Sequence, residues 1–443
     1  MKKISLGIIG LLIVGLVYYV FFGASQITQE IKKELNTELT LLQKEGFIIE
    51  DREIKDKSEH FVLVFNDPKK IAKFFTQKGI PFSLEDATRL QGLKVGMDVH
   101  YLPDASSAVS VDLYPLVPPN ALHTLVHNQT DEKSFEQLKT LLKKKTFLLH
   151  LSINTLGTKF KGSIKDIDEV LQGKKEMTLH LQGMHFSGAL KDHTIHDVKQ
   201  ELKQLRIGLN QDISFALHDA TSHYEHTGST PYDYITKYNI KHLEIKQNQT
   251  FNLLANTLLI DSSSHVNNGL SSANITSMIE QIAFENNGKK TLLNTFVLKA
   301  KTDNLDVKAF EQLQHTSVED TQKMNALLQT LISKGVNVEL PTLSVDYIEE
   351  QGKNIGGFHI DSKIHIDKSL NVTALQNNPM ATLSAIDANL NINLSKEIFN
   401  LIAQQPKAML AFMLFTPKDV GDKKVFTIDI KKGKLTVNGM AVN

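Results

Sequence analysis

Histidine is the residue type with the widest chemical reach in this chain, which carries 17 of them among 443 residues. His193 and His196 stand three apart, as do His223 and His226, with Glu225 inside the second pair. Two neutral imidazoles and a carboxylate form a donor set that zinc accepts. His223, Glu225 and His226 are therefore the candidate metal ligands, and a His-based metal-dependent enzyme is one reading of the chain. Pairs this close also arise by chance in a histidine-rich sequence, and both fall in or beside loops. Solvent-facing imidazoles are the expectation, with no resident metal or cofactor. His359 and His365 share the polar side of one strand, but about 20 Å of extended chain separates them, so they cannot share an ion.

Other routes to catalysis are closed at the level of residue type and spacing. Zero cysteine excludes thiolate metal sites, disulfides and cysteine nucleophiles together. There is no Gly-x-Ser-x-Gly elbow, no phosphate loop, no Gly-x-Gly-x-x-Gly fingerprint and no His-Glu-x-x-His. No catalytic residue is named on this basis. Lys+Arg and Asp+Glu are both 49, so the formal net charge is zero, and nothing points to nucleic acid.

The strongest physical signal is apolar. Ile4 to Phe22 reads ISLGIIGLLIVGLVYYVFF, without a charge. As a helix it would be roughly 28 Å long, close to a bilayer's hydrocarbon core. Ile4, Leu11, Leu12, Val14, Leu16, Phe21 and Phe22 would face lipid. Lys2 and Lys3 precede the stretch, which predicts a cytoplasmic amino terminus, and Tyr18 and Tyr19 suit the far interface. The run exceeds the apolar core of a cleaved signal peptide, so an uncleaved single-pass anchor is expected, with a signal peptide cleaved at Gly23 and Ser25 as the competing reading. A second apolar run, Ala408–Phe415, is too short to span. Its Met409, Leu410, Phe412, Met413 and Phe415 suit a buried segment on the last sheet, or the wall or lid of an apolar groove for lipid or a partner protein.

The elements between these runs predict an α+β chain: a transmembrane helix, then a β-rich body of antiparallel strands with interspersed amphipathic helices. Ile27, Ile31, Leu35, Leu39 and Leu42 recur at helical spacing up to Gly46. Their stripe must pack on the chain's own sheet or on a second copy. Asp67-Pro68 starts a helix over Ile71, Phe74 and Phe75; another runs over Phe135–Leu142. Strands are expected at His60–Phe65, Val95–Leu102 and Val109–Tyr114, and short alternating strands from Phe147 to about Ile260. Asn287-Gly288 signals a hairpin. In 358–367 and 387–394 the alternation is strict: Phe358, Ile360, Ile364 and Ile366 oppose His359, Asp361, Lys363 and His365, and Ala388, Leu390, Ile392 and Leu394 oppose Asp387, Asn389, Asn391 and Asn393. A helix from Ser395 to Gln405 and a hairpin over Val425–Val437 close the chain. The regions drawn from this pattern are 1–23, 24–146, 147–301 and 302–443.

The order of features resembles one family. A basic start and single apolar helix lead into a long β-rich region. Then come Asp303-Asn304-Leu305-Asp306 between a strand and a helix, the 318–333 helix, and the terminal Gly433-Lys434-Leu435-Thr436-Val437-Asn438-Gly439. In this it resembles the YdgA-like family of bacterial envelope proteins, a domain of unknown function. The resemblance implies a bacterial inner-membrane anchor and a periplasmic body, and supplies no catalytic residues. Three roles follow as expectations: an anchored, non-enzymatic envelope protein with an apolar groove; a dimeric assembly or signalling scaffold; and the metal enzyme above.

Overall fold

The computed structural model describes residues 28–77, 82–121, 132–173, 176–191, 194–210, 212–248, 250–314, 316, 320–378, 382–405 and 415–442. The proposed membrane anchor, with Ile4, Leu11, Leu12, Val14, Leu16, Phe21 and Phe22, lies outside these residues. Among the described residues no helix is long and apolar enough to cross a membrane. The β-rich α+β expectation holds: antiparallel strands dominate and a few helices interrupt them. The chain divides into two compact units, 1–221 and 222–443. Of the region boundaries drawn from the sequence pattern at 146 and 301, the second falls inside one continuous strand, Lys289–Asp306.

In the first unit, helix α1 (Thr28–Lys44) leads into β1 (Phe47–Ile54), β2 (Ser58–Phe65), α2 (Pro68–Gln77), α3 (Leu84–Leu90), β3 (Lys94–Asp104), β4 (Ser107–Val117), α4 (Glu132–Lys143) and β5 (Leu149–Asn154). There follow β6 (Lys159–Ile164), β7 (Ile167–Leu171), β8 (Met177–Gln182), β9 (Met184–Lys191), β10 (Thr194–Leu209) and β11 (Ile213–His226), within which the division falls. Each strand pairs with the next from β1 through β6. β6 and β7 then lie end to end against β9 and β8, which lie end to end against β10. The result is an antiparallel meander.

Sequence chemistry explains the local joints. Asp67 caps α2, its carboxylate accepting from the backbone N–H groups of Lys69 and Lys70 at 3.1 and 3.2 Å. Ser83 and Asp86 close a reciprocal capping box on α3, a short helix that the sequence analysis leaves out, as it does β1. The stripe of α1 goes to the chain's own core: Leu35, Leu39 and Leu42 join Phe47, Phe61 and Phe75 in one buried cluster. Phe47 meets Phe65 edge-on at 5.1 Å, and Phe75 meets Phe82 at 5.0 Å. On β6 and β9, Phe160 pairs with Gly188 and Phe186 with Gly162. Each ring lies over the opposite glycine, and a Cβ on Gly162 would come within 2.3 Å of the Phe186 ring.

The second unit repeats the meander: β12 (Tyr234–Gln247), β13 (Phe251–Asn267), β14 (Leu270–Asn286), β15 (Lys289–Asp306), helices α5 (Val307–Gln314) and α6 (Thr321–Leu331), and β16 (Val336–Glu350). After these come β17 (Lys353–Asn354), β18 (Phe358–Ile366), α7 (Val372–Asn377), β19 (Ile386–Ser395), α8 (Lys396–Ala403), β20 (Lys418–Val420), β21 (Lys423–Lys431), β22 (Lys434–Val437) and β23 (Met440–Ala441). The main order is β12-β13-β14-β15-β16-β18-β19-β21-β22-β23, every pair antiparallel. β17 folds back on β16, and β20 pairs with β21.

Two-residue turns set these registers. Asn268-Gly269, Asn287-Gly288, Gln351-Gly352, Lys432-Gly433 and Asn438-Gly439 all have positive φ at both positions, the twist that antiparallel hairpins favour. The expectation of short strands up to Ile260 holds for β5–β9, of five to eight residues, and fails from β10 onward. β13 runs 17 residues, through Ser262, Ser263 and Ser264. The hydrogen-bond ladder passes through those serines, which pair with Tyr234–Thr236 on one side and Ala273–Ile275 on the other. Helix α6 is capped by Asp320, whose carboxylate accepts from the Lys323 N–H at 3.1 Å, and the start expected at Ser317 lies outside the described residues.

Candidate apolar ligand face

Strand register assembles apolar rows across the second unit. Ile240, Leu258, Ile279, Phe296, Val345 and Phe358 are successive cross-strand partners from β12 to β18. A parallel row runs through Tyr238, Ile260, Leu298, Leu343, Ile360 and Ile392, interrupted only by Ser277. At strand spacing of about 4.8 Å, each row is a continuous apolar band.

Helices cover one end of this face. Ile332 at the end of α6 and Leu370 before α7 pack with Val336 and Ala385, and Ile398 of α8 packs with Leu394 and Phe426. Over β12–β15 the described residues supply this cover only at the Leu305 end of β15, which packs on the Ile332 and Leu370 cluster. Ala255, 6% exposed, is the one hydrophobic residue of these four strands that is buried. Leu258, Ile279, Phe296 and Leu298 are all partly exposed.

A transverse line keeps the face apolar over its full height. Thr257 lies between the pairs Asn256/Gln281 and Leu258/Ile279, and Thr295 between Gln281/Asn294 and Ile279/Phe296. Both have left-handed φ, 54° and 55°, a costly state for a β-branched residue. Beyond this line the apolar residues change parity: Leu258 and Ile260 give way to Ala255 and Leu253, and Val345 to Ile348. Ile348 nevertheless packs with Phe358 and Ile392 in one cluster. On β13 and β15 the left-handed residues absorb one position each, and on β16 the apolar side chains stay on one face without such a residue. The opposite face carries an amide ladder, in which His242 bonds Asn256 at 2.9 Å and Asn256 donates to Gln281 at 3.3 Å.

The residues singled out by sequence fare unevenly. His223, Glu225 and His226 lie on β11. His226 turns Nε2 toward the Thr230 carbonyl at 2.8 Å. Among the described residues no group of three His, Asp or Glu is placed to hold a metal ion. Met409, Leu410, Phe412 and Met413 lie outside the described residues. Phe415 is described, and packs against the cluster of Leu394, Ile398 and Phe426. The polar partners expected on one side of β18 and β19 are in register, His359 with Asn393 and Asp361 with Asn391.

Two titratable clusters escaped sequence reasoning. In the first unit Asp98 accepts from His60 Nδ1 at 2.6 Å, Tyr114 Oη at 3.1 Å and Lys145 Nζ at 2.8 Å. Burial opposes its ionisation, but the bonds from Lys145, His60 and Tyr114 hold its pKa below the usual carboxylate range. Asp112 and His150 form a similar pair at 2.7 Å. In the second unit Asp233, 1% exposed, accepts from the Val266 N–H, from the Thr230 N–H and hydroxyl, and from His265 Nδ1, all within 2.9 Å. Burial again opposes ionisation, yet these donors bring the carboxyl to about 2. A buried carboxylate behind an exposed imidazole can orient a general base. Among the described residues no hydroxyl is hydrogen-bonded to His265, so this pair tethers the 227–233 loop to β13 and no nucleophile completes it. His60 and Asp98 are 38 positions apart, as are Asp112 and His150; only strand register brings them together.

Comparison with protein-family models, with curated proteins and with solved structures yields no match to this chain.

Proposed function

We propose that this chain is a non-enzymatic protein of the bacterial envelope, anchored in the inner membrane by residues 4–22 with its body on the periplasmic side. Its second unit holds acyl chains against the open sheet face of β12–β15. One observation carries the reading: apolar rows in register over four strands, left half-covered where the neighbouring strands have helices packed on them. A bound hydrocarbon chain would complete that burial at about 25 cal/mol per Å² removed from water. The anchor rests on the charge-free Ile4–Phe22 stretch, and membership of the YdgA-like family on the order of elements named above. The dimer reading rested on the stripe of α1, and Leu35, Leu39 and Leu42 of that stripe are used by the chain's own core.

The test is photolabelling of the purified chain with a fatty acid carrying a photoactivatable terminal carbon, followed by peptide mapping. Adducts should concentrate on 234–306, with Phe296 and Ile279 among the labelled sites. Labelling spread evenly over both units would remove the acyl-chain reading.

A further inference from the structure

One end of the first unit's sheet is built differently from the other. The turns β1–β2, β3–β4 and β5–β6 lie there side by side: Lys57 accepts from the Tyr101 N–H at 3.0 Å, and Ser106 from the Thr155 N–H at 3.2 Å. The connections through α2–α3 and through α4 lie at the opposite end. Each of the three tips presents a large aliphatic side chain to solvent: Ile54 is 63%, Leu102 55% and Leu156 64% exposed. Among the described residues these are the three most exposed large hydrophobics of the unit. With two strands between successive tips, they form a line at intervals of about 10 Å.

Nothing in the core explains them. Just inside the tips the core is closed by polar groups: Glu59, 3% exposed, accepts from Arg52 at 2.5 Å and from the Tyr101 hydroxyl at 3.2 Å. Arg52 in turn reaches Asn36 of α1 at 2.8 Å. The aliphatic tips stand beyond this network, on its solvent side.

The start of α1 lies at the same end. Lys32, in its first turns, donates to the Asp56 carbonyl in the β1–β2 tip at 2.5 Å, and its ammonium sits 5.1 Å from the centre of the Tyr101 ring. The helix then runs back along β1 to Gly46 at the far end. Six Cα-to-Cα steps lead from Phe22, the end of the apolar stretch, to Thr28, where α1 begins. At no more than about 3.6 Å each they reach about 20 Å. With residues 4–22 across a bilayer, the tip end is therefore the end of this unit that the tether holds near the lipid surface.

We infer that Ile54, Leu102 and Leu156 dock this unit on the membrane, inserting side by side into the lipid interface next to the anchor. The occupant is a phospholipid surface. The anchor reading above is assumed, and the experiment separates the two. The chain contains no tryptophan, so a single indole reports one site. Full-length chains carrying Ile54→Trp, Leu102→Trp, Leu156→Trp or, as a control at the opposite end of the sheet, Leu84→Trp are reconstituted into phosphatidylcholine–phosphatidylglycerol vesicles. Leu84 is 49% exposed, so the control indole starts from similar solvation. Docking predicts blue-shifted emission at 54, 102 and 156, and quenching by brominated acyl chains about twofold or more above that at 84, as for indoles at headgroup depth. Equal, weak quenching at all four sites in chains that float with the vesicles would overturn the docking and leave the anchor standing. Chains that fail to float would remove both.

Discussion

The two units are built on one pattern, an antiparallel meander with helices inserted between strands, and they use it to opposite ends. In the first, α1, α2 and α3 lie over the apolar face, and Phe61, Val99, Leu35 and Leu42 are fully buried. In the second, strands up to 18 residues long carry apolar rows, but the described helices cover β16–β21 and only the Leu305 end of β15. Whether a sheet face becomes a closed core or stays open depends here on where the inserted helices fall in the chain. The strands themselves do not decide it.

That contrast can be broken by measurement. Phe61→Ala, in the closed core, should cost about 3–5 kcal/mol in a urea melt, whereas Ile279→Ala on the open face should cost under about 1.5 kcal/mol. Equal costs would mean that the second face is as well covered as the first. A second test uses acid. The folded Asp233 carboxyl titrates at about 2, below the ordinary 3.8. Its stabilisation is therefore complete above that ordinary value and is lost as pH falls through 2. Asp233→Asn should cost roughly 2–3 kcal/mol at pH 7 and nothing at the acid limit. Melting curves of both proteins over that range check the sign.

Packing density gives a finer comparison. Gly162→Ala would press a methyl group into the Phe186 ring and the His150 carbonyl, at a cost of about 1–3 kcal/mol. Ala300→Val on the open face should change the melt by no more than about 0.5 kcal/mol. Smallest is the effect at the transverse line. Thr257→Gly and Thr295→Gly relieve left-handed strain and should stay within about 1 kcal/mol of the parent, on the stabilising side, while Thr276→Gly in the same sheet should lose about 1 kcal/mol. Losses at 257 and 295 matching that at 276 would show that the left-handed line carries no strain.

Sequence reasoning reached what is periodic and local. The strict alternation in Phe358–Ile366 and Ala388–Leu394 sits in register as two paired strands. Asn287-Gly288 and Asn438-Gly439 are hairpin turns, and the helix caps at Asp67 and Ser395 are in place. The open face was only partly legible. Each strand shows its own apolar side, but Ile240, Leu258, Ile279 and Phe296 become one band only through register. The parity change at Thr257 and Thr295 looks like broken alternation until their φ angles are known. The run over Ala408–Phe415 drew attention as a groove wall through its composition, while the half-covered rows between Tyr238 and Leu298 did not, because Ser and Asn tracts dilute them. Asp98 and Asp233 were invisible for the same reason: their partners are distant in sequence.

The meander order also shapes how the chain comes together. Most strands pair with one that lies close before them in the chain, and the widest intervals are the helical insertions at 118–148 and 307–335. Short closures cost little entropy, and neighbour-to-neighbour stability resembles that of a stacked array more than that of a closed globule. Within each unit, strands can zip on in the order in which they are made. A chain cut after the β14–β15 turn would keep its earlier ladders and end on a bare strand edge.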